Sequence, residues 1–141
     1  MSGVSTSTAT FAGPAKADRV TASDGTLASP ASNAFNVVGP AVSFRVVEAP
    51  TTLARTALAT VTTTALDAAG NVATGYAGTV RYTDNLALAA VAPGPYDQVN
   101  TNGVIVAHIP FTRGPVASIR IVVTDSVNAL LNGTSNAFRI T

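Results

Sequence analysis

Apolar and polar residues alternate along several short stretches of the chain, and this alternation predicts strands. Ile119, Ile121 and Val123 fall on one face of such a stretch, and Val80 and Tyr82 share a face in another. In residues 57–66 one face is formed by Ala59, Val61, Thr63 and Ala65. A period of two is that of a strand with one buried face. Strands are therefore predicted at residues 42–47, 57–66, 72–76, 79–83, 104–111, 118–123 and 137–140, and no segment indicates a helix.

Turn-forming residues separate these predicted strands. Residues 67–71 read Asp-Ala-Ala-Gly-Asn, which suits a turn because Asp accepts hydrogen bonds from nearby backbone amides, and Gly and Asn tolerate positive φ. Pro50 ends the first strand, and Asn102-Gly103 marks another turn. Short strands divided by turns are typical of a sandwich. The sequence therefore predicts an all-β fold, an immunoglobulin-like antiparallel β-sandwich of about seven strands.

An internal repeat divides the chain. Ser-Asn-Ala-Phe at residues 32–35 returns at residues 135–138. The same alignment places Phe11 on Phe111, Arg19 on Arg120 and Asp24 on Asp125, at a spacing of about 100 residues. That period matches one sandwich and excludes solenoid repeats of roughly 20 to 50 residues. We therefore expect residues 1–38 to be the C-terminal half of a preceding repeat, with strands at 4–11, 18–23 and 35–38, and residues 39–141 to be a complete repeat.

Composition removes several classes of function. Hydrophobic residues make up 47% of the chain and charged residues 11%, and the net charge of +1 comes from singly scattered groups. Without a basic patch, nucleic acid is not an expected partner. No apolar run reaches the roughly 18 residues of a membrane helix, so membrane insertion is not expected. Cysteine is absent, which rules out disulfides and thiolate metal sites.

One segment resembles a known family. Residues 65–76 read Ala-Leu-Asp-Ala-Ala-Gly-Asn-Val-Ala-Thr-Gly-Tyr and are followed by Gly78-Thr79-Val80. This is similar to the tandem immunoglobulin-like repeats of large bacterial surface and secreted proteins, in which a Leu-Asp-Ala-x-Gly-Asn-x-x-x-Gly-Tyr segment precedes a Gly-Thr-Val strand. The resemblance implies an extracellular or cell-surface protein of many repeats with a mechanical or adhesive role. The Ala-rich run at residues 86–92 departs from the family pattern.

Residues that carry chemistry are few. His108 is the only histidine and lies mid-strand, facing away from the apolar set of its strand. No nucleophile motif accompanies it, so we expect a surface or interface histidine, no enzyme activity and no cofactor. Asp67, Asn71, Asp84 and Asp125 are weak candidates for Ca²⁺ ligands, since Ca²⁺ takes six to eight oxygen ligands, but each also suits a turn.

Two further surface features have alternative interpretations. Asn132-Gly133-Thr134 is a glycosylation sequon in a predicted loop, and Asn-Gly is also an ordinary turn pair. Tyr76, Tyr82 and Tyr96 would suit a sugar-binding platform or, more simply, core and rim packing.

The half repeat raises the question of what covers its apolar face. A half sandwich exposes an apolar face and open strand edges. It can pack on its own complete repeat, swap with a neighbour, or be completed by strands of another subunit, which gives head-to-tail assembly. We therefore expect a non-catalytic structural module of an extracellular bacterial fibre, stalk or adhesin, whose partners are copies of itself or neighbouring repeats. The alternative is a carbohydrate- or protein-binding module that recognises a glycan or host protein through loops such as residues 86–102.

Overall fold

The computed structural model describes residues 3–27, 29–86, 102–111 and 114–141, with the backbone of residues 98–99. Within these residues the chain forms twelve strands and no helix. The prediction of an all-β, sandwich-like fold is confirmed. The strands are β1 (Ala15–Asp18), β2 (Phe35–Val37), β3 (Ser43–Ala49), β4 (Thr52–Leu53), β5 (Leu58–Leu66), β6 (Thr79–Asp84), β7 (Gln98–Val99), β8 (Val104–Pro110), β9 (Val116–Ile119), β10 (Ile121–Asp125), β11 (Asn132–Thr134) and β12 (Phe138–Ile140).

Ten of these strands form three sheets around one core. The first sheet has the order β3–β5–β8 and is antiparallel throughout, with Val46 opposite Thr63 and Val61 opposite Ala107. The second has the order β11–β10–β6–β7 and is also antiparallel. In the third, β4–β12–β9, strand β12 runs antiparallel to β9 and parallel to β4.

The core consists of the alternate residues that the sequence pattern selects. The predicted inner faces are confirmed, because the residues of β5, β9 and β10 named above are all fully buried: Ala59, Val61, Thr63, Ala65, Ile119, Ile121 and Val123. Burying one such Ile or Val side chain is worth about 1.5–3 kcal/mol. The hydroxyl of Thr63 lies 3.2 Å from that of Tyr82, so these two buried polar groups satisfy one another.

The predicted strand at residues 118–123 is two strands in different sheets. β9 ends at Ile119 and pairs with β12, whereas β10 begins at Ile121 and pairs with β6 and β11. At the break, the Ile121 amide donates to Ser135 Oγ (2.9 Å) and Arg120 donates to the Ser135 carbonyl (2.8 Å). Ser135 therefore fixes the point at which the chain changes sheet.

Other predicted strands differ from the structure. The strand expected at residues 72–76 is wrong: only Val72 makes a bridge, to Leu66, and the chain then turns. The strands expected at residues 4–11 and 18–23 are also wrong, since residues 4–11 have no regular structure and β1 covers Ala15–Asp18 instead of the segment after it. The sequence does not predict β4 and β11, because Thr52–Leu53 and Asn132–Thr134 show no alternation of apolar and polar residues. Tyr96 and most of the 86–102 segment lie outside the described residues.

The N-terminal segment forms a small sheet without a core. β1 and β2 pair antiparallel, with Ala15 opposite Val37 and Asp18 opposite Phe35, and a bulge lies between these two pairs. None of the residues described between 3 and 40 is buried. Apolar side chains are exposed here, including Phe11 at 41% and Val20 at 41%.

Candidate functional site

The turn at residues 67–71 is organised by the carboxylate of Asp67. Its Oδ1 accepts hydrogen bonds from the amides of Ala69 (2.9 Å) and Asn71 (2.8 Å), as the sequence predicts. Gly70 has a φ of 77°, a conformation that favours glycine. The turn thereby holds the side chains of Asp67 and Asn71 side by side, with Asn71 Nδ2 donating to Asp67 Oδ2 at 3.0 Å.

This turn binds the N-terminal sheet to the sandwich. Asn71 Nδ2 donates to the carbonyl oxygens of Ala15 (3.1 Å) and Val37 (3.2 Å), the two residues that pair at the end of β1 and β2. Asp67 Oδ2 also accepts from the amide of Gly39, at 3.0 Å. We call this set of contacts the joint. It connects the predicted partial repeat to the predicted complete one.

The joint is buried and charged. Asp67 is 2% exposed and Asn71 is 5% exposed. Burial alone would raise the pKa of Asp67, but the hydrogen bonds from the Gly39 amide, the Asn71 side chain and the backbone of the turn together hold it below its usual value. Asp67 therefore remains ionised, and hydrogen bonds to an ionised acceptor are about twice as strong as neutral ones.

Two close contacts complete the joint. A Cβ placed on Gly39 would lie 3.0 Å from Cγ of Pro14, so the chain between β2 and β3 lies against the Pro14 ring. On the other side, the Lys16 ammonium lies over the turn, 3.2 Å from the position of a Cβ on Gly70. A larger residue at position 39 would press against the Pro14 ring, whereas at position 70 the flexible Lys16 side chain can move aside and the cost comes from the positive φ.

The Ca²⁺ candidates are distributed over separate turns. Asp67 and Asn71 are together in the joint, whereas Asp84 Oδ1 accepts from the Leu86 amide (2.9 Å) and Asp125 Oδ1 accepts from the amides of Val127 (2.9 Å) and Asn128 (2.7 Å). Across the described ranges, no three His, Cys, Asp or Glu side chains are grouped so that they could hold a metal ion.

Asp125 also accepts a hydrogen bond from the hydroxyl of Tyr76. Burial, together with this bond to the Asp125 carboxylate, raises the pKa of Tyr76 well above its ordinary value. For Asp125, burial acts to raise the pKa, but the bonds from Tyr76 and from the backbone amides hold it below its usual value. The Tyr76 ring also packs edge-on against Phe44, with ring centroids 5.4 Å apart. Tyr76 thus ties the 72–78 segment to β10 and β3.

The remaining candidates lie apart from the joint. His108 is exposed on β8, as predicted, with Nδ1 3.3 Å from the Thr60 hydroxyl. Asn132 is exposed but begins β11 rather than lying in a loop. Its side-chain Nδ2 donates to the carbonyls of Ala129 and Leu130. Tyr82 is in the core, so it cannot share a sugar platform with Tyr76.

Sequence reasoning missed Glu48. Its side chain is 2% exposed on the inner face of β3, and neither carboxylate oxygen has a hydrogen-bond partner among the described residues. Burial raises the pKa of this carboxyl to about 7. The signal was present in the sequence, because Phe44, Val46 and Glu48 continue one alternating face.

Comparison with known proteins does not assign the chain to a family. No protein-family model matches the sequence. A search of the curated proteins gives no match either. Within the described residues there is no helix long and apolar enough to cross a membrane.

Proposed function

We propose that this chain is a non-catalytic structural module of an extracellular bacterial fibre, stalk or adhesin, built from repeats that complete one another through their strands. The resemblance of residues 65–80 to tandem repeats of bacterial surface proteins supports the extracellular setting. The observation that carries the proposal is a set of contacts that occurs twice in the chain, once buried and once exposed.

The recurring contacts involve backbone and side chains alike. Val20 N–H donates to Ser32 Oγ (3.0 Å), as Ile121 N–H does to Ser135 Oγ (2.9 Å). Arg19 donates to the Ser32 carbonyl (3.3 Å), as Arg120 does to that of Ser135. Residues aligned by sequence therefore make the same bonds, which supports reading residues 1–38 as the end of a repeat.

The aromatic pairs repeat as well, in different surroundings. Phe11 and Phe35 meet edge to face with centroids 5.3 Å apart, and Phe111 and Phe138 do so at the same distance. Phe111 is only 1% exposed, whereas Phe11 is 41% exposed. The first pair thus has the geometry of a core pair without the cover that the second pair has.

The sandwich indicates what cover would fit. Phe111 and Phe138 belong to the same core as Phe44, Val46 and Val61, which lie on the β3–β5–β8 sheet. The exposed face that carries Phe11 and Phe35 resembles the face that this sheet covers. Strands like those of the β3–β5–β8 sheet, taken from another repeat of the same type, would therefore fit over it. Adding strands to an exposed sheet or face is an established mode of protein assembly. Because the uncovered face of one chain would bind strands of the next, the contact is head-to-tail and extends into a filament unless the ring closes.

Assembly of the intact chain tests this proposal. We expect scattering mass to rise with protein concentration and linear particles to appear by negative-stain electron microscopy. The double variant Phe11→Ser, Phe35→Ser should remain a single chain, because it removes apolar groups from the exposed face only.

Val127→Ser is the matched control, since Val127 is 96% exposed and lies outside that face. It should assemble like the parent chain. A parent chain that keeps the mass of one molecule over the whole concentration range would contradict self-assembly and favour the binding-module alternative, which a glycan array would then test.

A further inference from the structure

The strand pair β9–β12 repeats the register of β1–β2. In β1–β2, Ala15 lies opposite Val37 and Asp18 opposite Phe35, with a bulge between the pairs. In β9–β12, Val116 lies opposite Ile140 and Ile119 opposite Phe138, again with a bulge between them. Val116 and Ile140 therefore stand where Ala15 and Val37 stand in the first pair.

That position matters because Ala15 and Val37 are the residues whose carbonyls bind Asn71 in the joint. The contacts are made to backbone carbonyls, so they do not depend on the side chains at positions 15 and 37. Any strand pair with the same register and bulge presents carbonyls at the corresponding positions.

We infer that the outer end of β9–β12 is a docking site for the 67–71 turn of a second copy of this repeat. In that contact, Asn71 of the incoming copy donates to the carbonyls of Val116 and Ile140, and its Gly39 follows Thr141 in register. This inference rests on the proposed function, because it names the surface by which one repeat of the array holds the next.

The surface at this end fits the incoming turn. A shallow cavity there is lined by Pro115, Val116, Ala117, Arg139, Ile140 and Thr141. Pro115 corresponds in sequence to Pro14, which packs against Gly39 in the existing joint. Arg139 is the charged residue in this lining, where its Nε donates to Thr52 Oγ1 (3.1 Å), and it adds a positive charge to the surface that would receive the ionised Asp67 of the incoming copy.

A two-repeat chain tests the docking. The intact 141 residues are followed directly by a second copy of residues 39–141, so that Thr141 precedes Gly39. Since the natural chain has no cysteine, a single pair of spin labels can be placed by Val106→Cys in both copies, at a position 55% exposed on β8. The distance between the labels is measured by pulsed electron paramagnetic resonance at a concentration where light scattering shows single molecules.

We expect one narrow distance distribution in the two-repeat chain. Asn71→Ala in the second copy should broaden it about twofold or more, because domains without a fixed contact move independently about their linker. Asn132→Ala in the second copy is the matched control and should leave the width unchanged, because the Asn132 side chain donates to the nearby carbonyls of Ala129 and Leu130, apart from the joint.

A second variant covers the case in which Asn71→Ala unfolds its repeat. Gly39→Val in the second copy places a side chain against Pro115 without touching either core, and it should also broaden the distribution. Gly75→Ala, which meets nothing within 4 Å, is its control. A broad distribution in the parent two-repeat chain, or a narrow one that survives Gly39→Val and a folded Asn71→Ala, would overturn the inference.

The result is separable from that of the assembly experiment. A narrow distance distribution, together with a chain that never assembles, would contradict the self-assembly proposal and support the docking site. A broad distance distribution, together with a chain that forms filaments, would contradict the docking site and support strand complementation.

Discussion

The side chain of Asn136 binds both backbone polar groups of Glu48, the amide and the carbonyl. Its Oδ1 accepts from the Glu48 amide at 2.9 Å, and its Nδ2 donates to the Glu48 carbonyl at 3.1 Å. Asn136 therefore replaces a neighbouring strand at this point of β3 and keeps the Glu48 carboxyl turned into the core.

Asn136→Ala is expected to lower the free energy of unfolding by about 1–3 kcal/mol, because it leaves a backbone amide and carbonyl without partners. Asn33 is the aligned residue in the first Ser-Asn-Ala-Phe segment, and it is exposed. Asn33→Ala should therefore change the free energy of unfolding by less than about 0.5 kcal/mol. Urea unfolding measures both. Equal effects of the two substitutions would show that the bond pair to Glu48 does not stabilise the fold.

Glu48 predicts a loss of stability as pH rises. The pKa of its carboxyl is about 7 in the folded protein, against an ordinary value of 4.5. The folded state therefore binds the extra proton, so this contribution is complete below pH 4.5, falls as pH rises to 7, and is constant above that. We expect a loss of about 3 kcal/mol over this window, because each unit of pKa difference corresponds to about 1.4 kcal/mol.

Glu48→Gln removes the titration and keeps the shape of the side chain. Its unfolding free energy should match that of the parent near pH 5 and exceed it near pH 8, as followed by denaturant melts across pH. Asp67 and Asp125 do not affect stability between pH 5 and 8. Because their pKa values are lowered, their contribution to the free energy of unfolding is lost only as pH falls below 3.8. Parallel pH profiles for the two proteins would contradict a buried, titrating Glu48.

The aromatic pairs predict unequal effects of equal substitutions. Phe138 is 3% exposed, so Phe138→Ala should cost about 3–5 kcal/mol through lost burial and a cavity. Phe35→Ala removes the aligned ring from a half-buried pair without a core beneath it and should cost less than about 1 kcal/mol in a dilute, unassembled sample. Thermal and denaturant unfolding test this, and a costly Phe35→Ala would show that the N-terminal sheet already shares the core.

Gly133 predicts a steric effect. A Cβ at this position would overlap the carbonyl of Phe44, because β11 passes close to β3 there. Gly133→Ala should therefore destabilise the fold by about 1–3 kcal/mol. Gly75→Ala, in open space, should be nearly neutral. If the two variants melt at the same temperature, the close approach of β11 to β3 is incorrect.

The alternation of the sequence predicts which side chains are buried better than it predicts where strands end. Ile119 and Ile121 both face inward, so the pattern runs unbroken through Arg120, although the chain changes sheets there. Only the contacts of Ser135, from a distant part of the chain, reveal the break. Periodicity records burial, and burial is the same on both sides of this transition.

The sequence predicts only part of the joint. Asp67 and Asn71 were recognisable as turn residues, because their local bonds follow from residue type. Their bonds to Ala15 and Val37 were not, since these use backbone carbonyls up to 56 residues away that carry no side-chain signature. A residue whose type already suits a turn can thus make long-range contacts as well, and its type does not predict them.

The parallel pairing of β4 with β12 determines how the sandwich would bear a pulling force. The bonds Arg139 N–H to Thr51 O, Thr141 N–H to Leu53 O and Arg55 N–H to Thr141 O join β12, the last strand, to the segment that directly follows β3. Tension along an array would slide these strands past one another, so the three bonds would be sheared together instead of opening one after another. Forced unfolding is governed by the unfolding rate, and weakening this contact, for example with Leu53→Ala, should lower the unfolding force in single-molecule pulling.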